Sequence, residues 1–222
     1  MKALSVFLLF LIYSFIKNSN DCSSCYYFKN NNEITFMKYN AKGEKIGKEI
    51  ALVEKIDAGK SGYKLMKYDK NDTFKEESFA TVTCTNDALK IGFQIPNEVA
   101  DNSGSAYYMY PSAMKVGQLL EGSISFAVKT KVNGKKTDIS FSVKDRKVVD
   151  TEKVTIPYGT YDCYKIQYNL TVKFKVIGIA IPMNLKIIEW FSPGFGVVKT
   201  EAYNKDGNLE ETSVLTSIRI KK

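Results

Sequence analysis

Residues 164–176 read YKIQYNLTVKFKV. Tyr164, Ile166, Tyr168, Leu170, Val172, Phe174 and Val176 are apolar or aromatic, while Lys165, Gln167, Asn169, Thr171, Lys173 and Lys175 fill the gaps. Successive side chains of a strand point to opposite faces, so a period of two held this long is a β-strand with one dry face and one wet face, not a helix.

The pattern extends outward from that stretch. It returns at Ile124, Phe126, Val128, Thr130 and Val132, and again at Ile139, Phe141 and Val143. Turn signals separate the runs: Lys42-Gly43, Asn71-Asp72, Asn86-Asp87, Asn133-Gly134 and Asp206-Gly207. Asn-Gly and Asp-Gly suit the tight turns that need positive φ, and strands joined this way pair antiparallel. The reading predicts strands over 33–40, 46–57, 62–69, 74–85, 88–94, 122–132, 136–145, 147–156, 161–176, 179–190, 196–204 and 209–220. Only Ile95 to Met114 breaks the rhythm. It holds Pro96, Pro111 and the cluster Tyr107-Tyr108-Met109-Tyr110, which suits a long connection with at most a helical turn. Pro182 cannot donate to a ladder and marks an edge or a bulge.

A long sheet with one dry face must cover it with helices, with a second sheet, or by curling on itself. No convincing amphipathic helix of even about 12 residues is present. The expected fold is therefore all-β, a long antiparallel meander curled into a half-barrel or open barrel with little helix. Its concave side is either filled by its own side chains or open to an apolar guest. The candidate ligand-binding residues are Tyr107, Tyr108, Met109 and Tyr110, as a lid, with Phe174 and Trp190.

Residues 1–20 read as an export signal, with Lys2 ahead of the uncharged run Ala3–Ile16. Those 14 residues would span only about 21 Å as a helix, short of the ~30 Å hydrocarbon core, so no stable membrane span is expected in the mature form. Neither Cys22 nor Cys25 follows the apolar-small-small run that lipidation requires. Residues 21–222 are expected to form a single β-rich domain, exported to the periplasm or cell envelope of a bacterium.

Removing the leader takes away Lys2 and Lys17 and no acid, which lowers the net charge from +8 to +6. All cationic residues but Arg146 and Arg219 are lysines, and they alternate with apolar residues instead of clustering. Lysine lacks the planar fork that grips phosphate or a guanine edge, so the pattern reads as a solvated strand face and not a nucleic-acid surface. It leaves room for attraction to anionic head groups, acidic polymers or an envelope protein.

The stretch WFSPGFGVVK, residues 190–199, carries a Gly-x-Gly. A phosphate-binding loop of that type opens a helix, whereas Gly196 precedes the β-rich Val197-Val198-Lys199-Thr200. Pro193-Gly194 reads as a plain turn, and no cofactor is expected. The chain has no histidine, and of its cysteines only Cys22 and Cys25 are closely spaced, so no metal site is expected. Cys22, Cys25, Cys84 and Cys163 are disulfide candidates, with the pairing left open. Without histidine the usual general base is missing, and no catalytic residues are assigned. The one carboxylate pair worth weighing, Glu189 with Asp162, reads as solvated strand-end charge, and the chain is expected not to be an enzyme.

Two segments carry a family resemblance: VTIPYGTYDCYKIQY, residues 154–168, and IEWFSPGFGVVKTEAYNKDG, residues 188–207. They resemble the TapB-like family of exported bacterial proteins, related to a domain of unknown function whose curved half-barrel is similar to the lipoprotein-carrier (LolA/LolB-like) fold. Pro157, Gly159, Thr160, Tyr161, Cys163, Tyr164, Lys165 and Ile166 match the family's strand entry. Trp190, Phe191, Gly194 and Gly196 match its hairpin, and Cys25-Tyr26-Tyr27 and the segment from Tyr110 to Gly117 also fit. Phe28 stands where the family has proline, and the Cys22/Cys25 pair has one cysteine more than the pattern. The resemblance implies a curved β-sheet in the envelope and carries no catalytic residues with it. The functional expectation is an exported envelope protein that binds an apolar or amphiphilic ligand, such as a lipid, in a curved sheet. The alternative is a structural or interaction module with a packed interior.

Overall fold

The computed structural model describes residues 22–57, 59–85, 88–94, 106–132, 135–176 and 179–221. The leader assigned to residues 1–20 lies outside them. Twelve strands follow in order: β1 (Asn32–Asn40), β2 (Lys45–Asp57), β3 (Lys60–Asp69), β4 (Phe74–Thr85), β5 (Ala88–Gln94) and β6 (Ala106–Pro111), then β7 (Gly122–Val132), β8 (Lys135–Ile156), β9 (Gly159–Val176), β10 (Ile179–Ser192), β11 (Gly196–Tyr203) and β12 (Leu209–Ile220). Each pairs antiparallel with its chain neighbours. The only other described elements are two 3-10 turns, Cys22–Ser24 and Tyr26–Phe28.

The all-β meander is as the alternation predicts, but the sheet closes fully and is not a half-barrel or open barrel. β1 pairs with β12 from Asn32↔Ile220 to Asn40↔Glu211, which leaves no free edge where the first and last strands meet. Closure of this kind removes the unpaired N–H and C=O groups that an open sheet would expose.

Two predicted elements differ. Tyr107–Tyr110 lie in strand β6, part of the barrel wall, and not in a long connection. The segments expected as two strands, 136–145 and 147–156, form the single strand β8, which bends at register shifts between Lys144 and Lys147 and between Val148 and Asp150.

The two barrel ends are unlike. At one end the N-terminal turns lie across the opening as a plug. The Cys22–Cys84 disulfide fastens the plug to β4, the Tyr26 amide donates to Phe195 O (3.1 Å), and Ser61 Oγ donates to Tyr27 O (2.6 Å). At the other end the strands have unequal lengths. The β6–β7 pairing stops at Ala106↔Ile124 and the β10–β11 pairing at Lys186↔Tyr203, whereas β7, β8, β9 and β10 stay paired with one another well beyond. Among the described residues these four strands thus project past their neighbours β6 and β11, and Pro182 sits on the overhang of β10, at the edge where its sequence placed it.

Candidate functional site: the mouth of the barrel

The site is built on a bulge. Lys144 pairs with Asn169 and Lys147 with Gln167, so Asp145 and Arg146 together oppose Tyr168. Asp145 takes φ 57°, and Asn169 Nδ2 donates to its carboxylate at 3.0 Å. An extra residue re-aims the side chains around it. Here it carries Arg146 into the barrel interior, where the side chain is 2% exposed.

Arg146 Nη1 donates to Met109 O (2.6 Å), which ties β8 to β6, and its guanidinium lies 4.7 Å from the Tyr108 ring centre and 4.3 Å from that of Tyr110. Nη2 faces Glu189 Oε1 at 3.5 Å. Nε has no hydrogen-bond partner among the described residues. Burial raises the Glu189 carboxyl above its ordinary range, with Arg146 opposing that shift. Burial would lower the Arg146 pKa, but Tyr110, Glu189 and Tyr108 outweigh it and hold it up. Tyr110 stacks on Phe191 across the interior at 4.4 Å. This packed layer is a floor. Its upper surface is Tyr168, whose ring lies 5.6 Å from that of Tyr108.

Above Tyr168 the interior opens into a cavity of ≈670 Å³. One side is apolar, with Leu170 from β9 and Met183, Leu185 and Ile187 from β10, and the other carries Thr200, Lys205, Glu210 and Glu211. The cavity exists because β11 ends at Tyr203 while β10 runs on, which notches the wall between them. A volume in this range suits one small ligand. On the polar side, Lys38 bridges Glu49 (2.6 Å) and Glu211 (3.0 Å) across the seam where β1 meets β2 and β12. Burial alone would lower the Lys38 pKa, but the two carboxylates outweigh it and hold it above its ordinary value. An apolar wall facing charged groups is chemistry for an amphiphile.

The residues singled out from sequence fall in different places. Tyr108 and Tyr110 point inward and belong to the floor. Tyr107 and Met109 alternate to the other face, where Lys90 Nζ sits 4.2 Å from the Tyr107 ring centre. Phe174, opposite Ile139 and Ile181, lies on the inner face of the projecting strands, two pairs beyond the cavity's Leu170. Trp190 neighbours Lys165 and Lys199, whereas the inward Glu189 neighbours Ile166 and Thr200, so Trp190 is on the outer face. It is only 5% exposed because both lysines lie over its ring and its Nε1 donates to Glu152. Glu189 and Asp162 share no cleft, since Asp162 is exposed and bridges Lys153.

Of the four cysteine candidates, Cys22 and Cys84 are bonded, while Cys25 and Cys163 are buried outside any disulfide. Burial pushes the Cys163 thiol up to about 12. The Gly-x-Gly loop opens no helix. Phe195 O receives the Tyr26 amide, and the Phe195 ring packs on Tyr161 (4.4 Å) and Tyr26 (5.2 Å), so the turn is the seat of the plug. Sequence reasoning missed Arg146 and the β10 wall. The available signal was a lone arginine among lysines, at the point where the alternation of β8 breaks.

These features define a closed antiparallel barrel, plugged at one end and notched at the other. The chain belongs to the DUF3108-like family, whose pattern matches residues 29–215. A crystal structure of a candidate lipoprotein from Parabacteroides distasonis superposes with a TM-score of 0.69 at 20% identity, covering 86% of this chain and 96% of that one. A candidate exported protein with a YmcC-like fold from Bacteroides fragilis gives 0.66 at 20% identity, with coverages of 86% and 96%. At such identity the likeness is one of fold. Among curated proteins none matches the chain by sequence.

Proposed function

We propose that this chain is a non-enzymatic protein exported to the bacterial envelope, where it holds the apolar part of an amphiphile, such as an acyl chain, in the notched mouth of its barrel. The carrying observation is the ≈670 Å³ cavity with Leu170, Met183, Leu185 and Ile187 on one side and Lys205, Glu210 and Glu211 on the other. Apolar burial supplies the affinity in such a site, and a few polar groups fix the orientation. The leader-like residues 1–20, and fold relatives described as an exported protein and a lipoprotein, support the location. The motifs around Pro157 and Trp190 support a finer placement among the TapB-like proteins.

Native mass spectrometry and solvent extraction of the purified protein should find a bound amphiphile, and a fluorescent fatty acid should bind to the stripped protein. Ala202→Trp, which fills the cavity from β11, should remove that binding without unfolding the barrel. Finding nothing bound, and no fatty-acid binding, sinks the reading.

One observation favours a structural or interaction module instead. The floor is filled by the protein's own groups, with Tyr110 stacked on Phe191 and Arg146 beside Glu189. That reading gains if Ala202→Trp leaves every measured property unchanged.

A further inference from the structure

We infer that the projecting end of the barrel docks on an anionic lipid bilayer, with the β10 side of the β9–β10 hairpin entering the interface. Along β10, alternate residues form one stripe on the inner face, opposite Phe174, Val172, Leu170 and Tyr168 of β9. Exposure along this stripe rises outward, from Ile187 at 5% to Met183 at 42%, Ile181 at 55% and Ile179 at 69%. A soluble overhang ordinarily turns polar as it leaves the core. This one stays apolar, and a contiguous patch of exposed large apolar side chains marks an interaction surface.

The occupant follows from charge and backbone chemistry. In sequence, residues 125–143 and 169–185, which include the described parts of the four projecting strands, contain six lysines and a single acid, Asp138. Apolar residues interleaved with lysines suit an anionic bilayer, where the apolar groups enter the acyl boundary and the ammonium groups remain among the head groups. A protein strand adding to the free edge of β10 fits less well, because Pro182 interrupts the row of N–H donors that such an addition needs. The inference does not need a bound ligand, although the same stripe leads from the bilayer into the cavity.

The test uses the chain from Asp21 onward, which contains every strand of the barrel and excludes the apolar leader. Co-sedimentation with phosphatidylglycerol/phosphatidylethanolamine vesicles should show binding that is much weaker on phosphatidylcholine and falls steeply toward ~1 M salt. The double variant Ile179→Ser, Ile181→Ser should lose about tenfold or more in vesicle affinity. Neither residue lines the cavity, so its unfolding midpoint and its fatty-acid binding in solution should not change. Ala202→Trp should behave oppositely, docking normally while losing the fatty acid, which separates failure of docking from failure of the ligand reading. Lys173→Glu provides a second arm, expected to weaken binding to anionic vesicles only. Absence of vesicle binding, equal binding to both lipids, or vesicle binding unaffected by the double variant would overturn the inference. So would a concentration-dependent dimer that the double variant abolishes, because a second copy would then be the occupant.

Discussion

Gly196 provides a severe test of the plugged end. A Cβ added there would lie 2.5 Å from Tyr26 Cε1, 2.7 Å from Cζ and 2.9 Å from the hydroxyl oxygen. The ring cannot step aside cheaply, because Tyr26 is held at both ends. Its amide donates to Phe195 O (3.1 Å), its hydroxyl donates to Val197 O (2.7 Å), and its own carbonyl accepts from Asn32 Nδ2 (3.0 Å). The φ of 133° at Gly196 is itself poor for any residue with a Cβ. Strain at such a φ costs about 1–3 kcal/mol, and overpacking a filled site adds about 1–3 kcal/mol. Gly196→Ala should therefore destabilise by about 4 kcal/mol, a large share of the ~5–15 kcal/mol typical of whole proteins.

Urea unfolding monitored by near-UV circular dichroism measures the effect, and a double-mutant cycle assigns it. If the clash is with the Tyr26 ring, Tyr26→Ala should cost much less in the Gly196→Ala background than in the parent, with a coupling above about 1 kcal/mol. A Gly196→Ala protein within about 0.5 kcal/mol of the parent, or two strictly additive substitutions, would refute the view that this turn is built to seat the plug.

Two further outcomes follow from the same barrel. Replacing Cys22 and Cys84 by serine opens a cross-link across 62 residues of sequence, and should cost about 4 kcal/mol by the loop-closure relation; a loss under about 1 kcal/mol on denaturant unfolding would show that the plug stays in place without it. In the β3–β4 turn, the Lys75 ammonium, with the amides of Thr73 and Asn71, holds the Asp69 carboxyl at about 2, below its ordinary 3.8. A carboxyl depressed on folding stabilises above its unfolded pKa, and that share is lost as pH falls through the folded value. Asp69→Asn should therefore flatten the decline of the unfolding midpoint between pH 3.8 and 2, and an unchanged acid profile would count against this turn as a contributor.

How much was legible depended on whether the signal was local. The alternation from Tyr164 to Val176 is a property of one strand and survives intact in β9. Asn71-Asp72 and Asp206-Gly207 likewise mark hairpins whose two strands are adjacent in sequence, while Asn86-Asp87 and Asn133-Gly134 lie outside the described residues. β6 was hidden because Tyr107-Tyr108-Met109-Tyr110 is apolar at every position, so no alternation shows, although two of its residues face inward and two outward. Closure was hidden because it depends on Asn32 meeting Ile220, a pairing that no local pattern encodes. Trp190 and Glu189 misled in a complementary way. A tryptophan in a strand suggests the dry face and a glutamate the wet one, yet Arg146 offsets the buried carboxylate inside while Lys165 and Lys199 cover the indole outside. Each compensation comes from a different strand, so neither could be read from residues 189 and 190 alone.

The difference between the two ends bears on how anything could reach the interior. At the plugged end, a disulfide, the seat on Phe195 and the bond from Ser61 to Tyr27 act on one short segment, so opening that end requires several interactions to break together. The floor of Arg146, Glu189, Tyr108 and Tyr110 forms a second barrier, since a guest moving through it would strand a buried charge. At the mouth, among the described residues, β10 outruns β11, and the β10 side chains that line the notch have no β11 partner beside them. A molecule entering by that route meets Met183 and Leu185 before Ile187 and Tyr168, so its apolar end can lead while its polar end stays with Lys205, Glu210 and Glu211 at the rim. On the proposed reading, the orientation of an amphiphile follows from which strand stops first, and lengthening β11 to cover the notch should abolish entry while leaving plug and floor intact.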